Sequence, residues 1–168
     1  MSFQVFPKHM EHINEYLLEA REELKRLEHI IYVSLKYTRT VDVIINAVSR
    51  LLDIYNLIIE ALLIKAKDEK KIAALPKSPA LRSTRLAEIY NDDAKMQKYL
   101  SFYSFLKTVL KLPYERRREY RRHVTLIVRL KNSTGEVNID NLTNCEKFVH
   151  NFFNYSWELV NGKKEEED

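Results

Sequence analysis

From Ile13 the apolar residues Ile13, Leu17, Ala20, Leu24, Leu27, Ile31 and Leu35 recur at alternating steps of four and three, the seam of a long helix lying along another helix. This predicts a first helix over roughly residues 8 to 36. After the polar Thr38-Arg39-Thr40, the apolar positions Val41, Ile44, Ile45, Val48, Leu51, Leu52, Tyr55, Ile58, Ile59, Leu62 and Leu63 keep helical spacing and predict a second helix over roughly 40 to 66. So short a link forces the two helices to pack antiparallel, and the second, apolar almost all round, is expected at the centre of the fold. Its polar residues Asp42, Asn46, Ser49, Asp53, Asn56 and Glu60 form one narrow stripe. That stripe is either the wet face of the helix or a set of groups that meets arginines supplied by another element.

The stretch from Lys67 to Pro79 is charged, carries Pro76 and Pro79, and reads as the main loop, with Ser78 an N-cap ahead of Pro79 at the first helical position. Leu86, Ile89, Tyr90, Met96, Tyr99, Leu100, Tyr103, Leu106, Val109 and Leu110 then predict a third helix, broken near Asn91-Asp92-Asp93 and ended by Pro113. A fourth helix is expected over 114 to 130. Val124 to Val128 has strand propensity, but no second strand stands out to pair with it. Asn132 to Gly135 is a turn, and Leu142, Cys145, Phe148, Val149, Phe152, Ser156, Leu159 and Val160 mark a fifth helix. The expected architecture is therefore a single all-α domain over 1–162, an up-and-down bundle of about five helices with a long N-terminal hairpin, followed by a charged, disordered tail over 163–168.

Composition agrees with this pattern. Only two glycines and four prolines occur among 168 residues, too few for the turns of many short strands. A single cysteine, Cys145, excludes an internal disulfide and gives no CxxC spacing; on the apolar face of the fifth helix it reads as a core residue. The opening residues carry no basic-then-apolar leader, and no run of eighteen apolar residues is free of charge, so a cytoplasmic chain without membrane contact is expected. The sequons at Asn132, Asn141 and Asn154 are then chance matches. No cofactor is expected, since neither a P-loop nor a GxGxxG is present. No metal is expected either, because His9 and His12 have no third ligand near them and no HExxH occurs.

Charge is concentrated in one place. Between Lys111 and Lys131 stand eight Lys or Arg against only Glu115 and Glu119, a local excess of six positive charges that leaves the remaining chain slightly acidic. Such a distribution suits a phosphate-facing surface. Its centre is Tyr114-Glu-Arg-Arg-Arg-Glu-Tyr-Arg-Arg-His123, in which Arg118 and His123 spell R-x4-H, while Arg117 and Arg116 give the x5 and x6 versions. With the long first helix, its Ala20 and Leu24 seam, and a long second core helix, this motif resembles the HEPN superfamily of small helical domains over roughly residues 8 to 160. Here Glu119 replaces the asparagine that commonly follows the arginine of that motif. The resemblance implies metal-independent RNA cleavage of toxin type. His123 would handle protons around attack by the 2′-hydroxyl and Arg118 would stabilise charge at phosphorus. It also implies a homodimer, and a possible antitoxin or nucleotidyltransferase-type protein partner.

The chemistry is sound, because histidine titrates near neutrality and arginine offers a fixed fork to phosphate oxygens. In a continuous helix, however, residues five apart lie about 140° apart around the axis. Arg118 and His123 then converge only if the helix starts after Arg118 or a second chain contributes. Catalysis, phosphate binding without catalysis by Arg116, Arg117, Arg121 and Arg122, and a solvated basic helix with His123 paired to Glu119 all remain open. Lys36 and Arg39, flanking Tyr37 at the tip of the helical hairpin, could add charge and a stacking ring for nucleic acid; they could equally be dipole-favoured cations beside a Thr cap. The functional class that competes with RNA binding is a non-catalytic helical interaction or dimerisation module.

Overall fold

A computed structural model describes residues 8–163, with side chains from His12 onward; the tail expected over 163–168 lies, after Lys163, outside the described residues, as does the side chain of His9. Helix α1 covers Lys8–His29 and runs on without a break through one wide, π-helical turn, Ile30–Ser34, and a last turn at Leu35–Tyr37. Only Thr38, Arg39 and Thr40 separate it from α2, Val41–Asp68. The hairpin of two long helices is thus present, with the Thr40 hydroxyl accepting from the Val43 amide at 3.3 Å to cap α2. Along α1, Ile13, Leu17, Ala20, Leu24, Leu27 and Leu35 are buried, and along α2 so are Ile44, Ala47, Leu51, Ile54, Tyr55, Ile58 and Leu62. Helix α2 is the central element, in contact with every other helix.

Helix α3, Pro79–Ile89, begins with Ser78 at the N-cap and Pro79 as its first residue. It stops at Tyr90, and α4, Ala94–Lys111, restarts behind Asp93, whose carboxylate accepts from the Met96 amide at 3.0 Å. Asn91-Asp92-Asp93 therefore separates two helices. The last helix, α5, spans Ile139–Asn161 and opens with a capping box in which Asn138 and Asn141 exchange side-chain-to-backbone bonds of 2.9 and 3.1 Å. The aromatic residues of α4 and α5 close on α2: Tyr55 lies 5.3 Å from Tyr103 and 5.0 Å from Phe152 between ring centroids, and Tyr99 lies 4.9 Å from Phe152. These rings are core, as burial of large apolar area favours.

The protein is mostly helical but not purely so. The segment expected as a fourth helix over 114 to 130 is instead β1, Tyr114–Arg117, a seven-residue loop, and β2, Thr125–Arg129; β3, Thr134–Val137, completes an antiparallel sheet in the order β1-β2-β3. Tyr114 pairs with Val128, Arg117 with Thr125, and Val128 with Gly135. The physical reason is local. Pro113 cuts the chain off from α4, Arg118 and Tyr120 take positive φ values of 55° and 66° that no helix permits, and the β-branched run in β2 is buried along Thr125 to Val128. Gly135 serves close approach: a Cβ there would stand 3.0 Å from Val128 Cγ2 on the neighbouring strand.

Among the described residues, no helix is long and apolar enough to cross a membrane.

Candidate nucleic-acid interface

The loop between β1 and β2 does not hang free. The Tyr120 amide donates to the Arg39 carbonyl at 2.6 Å. The Glu119 carboxylate accepts from the Val41 amide at 3.3 and 3.4 Å, placing a negative charge on an orphan N–H at the start of α2. Within the loop, the Arg121 amide reaches the Arg118 carbonyl at 3.1 Å and the Val124 amide the Arg121 carbonyl at 3.0 Å. Two basic segments far apart in sequence, the hairpin tip Lys36 to Arg39 and the loop Arg118 to His123, are thereby joined at one end of the molecule. That docking could not be read from the sequence, where Glu119 stood as a departure from the motif and as a partner for His123.

The arginines divide into two groups. Arg116 bridges Asp42 at 2.8 Å and Glu119 at 3.0 Å, with its guanidinium 5.5 Å from the Tyr114 ring centroid. Those contacts hold the Asp42 carboxyl below its ordinary value, chiefly through the hydrogen bond from Arg116, and raise the guanidinium's. Arg117 of β1 reaches past β2 to pair with Glu136 of β3 at 3.0 Å, and Arg129 of β2 pairs with Glu115 of the neighbouring β1 at 2.9 Å. In contrast, Arg118, Arg121, Arg122, Lys36 and Arg39 make no ion pair among the described residues. Arg116 and Arg117, expected to hold phosphates, are thus already occupied by carboxylates. Arg118, Arg121 and Arg122 remain, exposed, on the loop. Tyr37 and Tyr120, each 79% exposed, stand among these cations.

Arg118 and His123 belong to the same short loop, so the angular separation expected of a helix does not apply. His123 does not pair with Glu119, which is turned to Arg116 and Val41. Its backbone carbonyl accepts from the Thr125 hydroxyl at 2.8 Å. With Arg122, Asn138, Ile139 and Asp140, His123 borders a hollow of about 200 Å³ beside the start of α5.

Elsewhere, the polar stripe of α2 meets partners rather than water alone. Glu60 binds Arg82 of α3 at 2.6 Å, Asn56 accepts from the Tyr103 hydroxyl at 2.5 Å, and Asp42 takes Arg116. Cys145 lines an apolar hollow of about 280 Å³ with Val48, Phe102 and Phe105, and burial pushes its thiol up to about 11, away from nucleophilic use. One group of metal-ligating side chains occurs among the described residues, at Glu28, Glu146 and His150, where α1 faces α5.

Comparison with protein-family profiles, with curated proteins and with solved structures gives no match.

Proposed function

We propose that the protein binds single-stranded RNA through the end of the molecule where the β1–β2 loop docks on the tip of the helical hairpin. The observation that carries this reading is the 2.6 Å bond from the Tyr120 amide to the Arg39 carbonyl. It unites Lys36 and Arg39 with Arg118, Arg121 and Arg122 in one surface whose cations have no carboxylate partner among the described residues. Cations arranged around exposed rings suit a flexible strand, since the backbone is held by charge and the bases stack. The left-handed backbone at Arg118 and Tyr120 supports the same reading, because non-glycine residues in that region cost about 1 kcal/mol each and persist where tertiary contacts impose them.

The HEPN resemblance, with its bundle of about five helices as scaffold, agrees with RNA as the ligand and extends the reading to metal-independent cleavage. In that extension Arg118 steadies the phosphate and His123 exchanges protons, both from one loop that α2 holds in place.

The test is binding of a labelled single-stranded RNA at low salt with chelator present, followed by analysis of the strand ends. Tyr37→Ala and Tyr120→Gly should each weaken binding by about tenfold, the scale of one lost base stack. Tyr120→Gly also relieves the left-handed backbone, so its fold is expected to be intact. Cleavage leaving 2′,3′-cyclic ends, lost in Arg118→Ala/His123→Ala, would extend the assignment to a nuclease. Binding that ignores both tyrosines would refute the proposed surface.

A further inference from the structure

On the face of the molecule where α1 packs against α5, three side chains converge that the sequence gives no reason to group. Glu146 and His150 lie one turn apart on α5, and Glu28 comes from α1; one ligand atom of each lies within 4.8 Å of the others. Glu146 is only 7% exposed. No arginine, lysine or histidine makes an ion pair with Glu146 or Glu28 among the described residues. A buried carboxylate is ordinarily retained only with a counter-charge or a set of donors. What stands within 4.8 Å of Glu146 is instead a second carboxylate, that of Glu28, together with the His150 ring.

We propose that Glu28, Glu146 and His150 bind a divalent first-row transition-metal ion of the zinc class, which clamps α1 to α5. The donor set, two carboxylate oxygens and one imidazole nitrogen, selects this class over calcium or magnesium, which take oxygen ligands. Ligands about 2.1 Å from a tetrahedral ion lie about 3.4 Å apart, so an arrangement already within 4.8 Å closes by adjusting side-chain torsions. Three protein ligands leave a fourth position for water. A hollow of about 370 Å³, bordered by Glu28, His150, Arg21, Asn154 and Trp157, gives the ion a route in from solvent. The site could not be found by motif spacing, because one ligand lies far away in the sequence and the other two make only an i, i+4 pair.

The probe is Co²⁺, followed by its visible absorption, with Zn²⁺ competing and thermal unfolding read in parallel on the full chain. Wild-type protein should take up one equivalent, show d–d bands that Zn²⁺ abolishes, and melt at higher temperature with metal than with chelator. Glu28→Gln and Glu146→Gln keep the shape of the side chain and remove its charge. With His150→Ala, each should weaken uptake by about tenfold or more and lose the metal-dependent shift in melting, while His12→Ala, on exposed surface away from the cluster, should change neither. Absence of stoichiometric uptake by wild type, or uptake that survives all three ligand substitutions, would overturn the proposal. Should Glu146→Gln fold poorly, Glu28→Gln and His150→Ala, both at less buried positions, decide the matter alone.

Discussion

Two buried side chains make the sharpest statements at the level of single residues. Burial, and then the neighbouring Glu28, holds the Glu146 carboxyl above its ordinary value in the folded chain. The folded state then binds more protons than the unfolded state between the carboxyl's ordinary value of 4.5 and its raised one, so stability falls as pH rises through that window. In metal-free protein, Glu146→Gln is expected to flatten this part of the pH–stability curve and to raise the melting temperature at neutral pH. Chemical denaturation at pH 4.5 and pH 7.5 measures it. Tyr55 is the second case. Its ring is fully buried against Tyr103 and Phe152 while its hydroxyl has no partner among the described residues, so burial drives its ionisation well upward. Tyr55→Phe keeps the ring packing and removes an unpaired polar atom, and should stabilise by about 1 kcal/mol in urea unfolding. Apolar spacing already marked Tyr55 as core; the loneliness of its hydroxyl depends on what α4 and α5 bring, which no local pattern contains.

At the level of elements, the helices were legible and the sheet was not. Steps of three and four in α1, α2 and α5 reflect burial of one helical face, and periodicity reports that face directly. Thr40, Ser78 and the break at Asp93 were legible because caps and prolines act locally. The sheet depends on contacts across the chain. β1 reads Tyr-Glu-Arg-Arg and β3 reads Thr-Gly-Glu-Val, neither resembling an isolated strand; both are recruited by β2, whose buried run needs neighbours on each side. The same tertiary demand places Glu119 at the start of α2, where it joins loop to hairpin. Glu119→Ala should therefore cost about 1 kcal/mol, the scale of a lost helix N-terminal cap. Amide exchange should become faster at Tyr120 and Val41, whose N–H groups depend on that junction. Unchanged exchange at both would mean that the loop is held by something other than Glu119.

For the whole molecule, charge position matters more than charge count. The basic segment is plain in the sequence, yet its arginines are not equivalent. Arg116, Arg117 and Arg129 are balanced by Asp42, Glu119, Glu136 and Glu115, and exposed pairs of this kind contribute little to stability while using up charge that a phosphate would otherwise meet. Ion pairs within the sheet and from Arg116 to Asp42 and Glu119 explain the division, and they depend on a β-hairpin standing where a helix was expected. The arginines left over in the segment, Arg118, Arg121 and Arg122, lie with Lys36 and Arg39 at the docked end, so RNA affinity is expected to reside at that end. The most direct test is the salt dependence of single-stranded RNA binding, compared between wild type, Arg118→Ala/Arg121→Ala/Arg122→Ala and Arg117→Ala/Arg129→Ala. Each phosphate contact on a single strand contributes about 0.7 to the slope of log affinity against log salt. The triple variant should accordingly lose about 2 units of slope and most of its low-salt affinity, whereas the double variant, which removes cations already paired, should stay close to wild type. Equal losses in the two variants, or a wild-type affinity that does not respond to salt, would contradict the account.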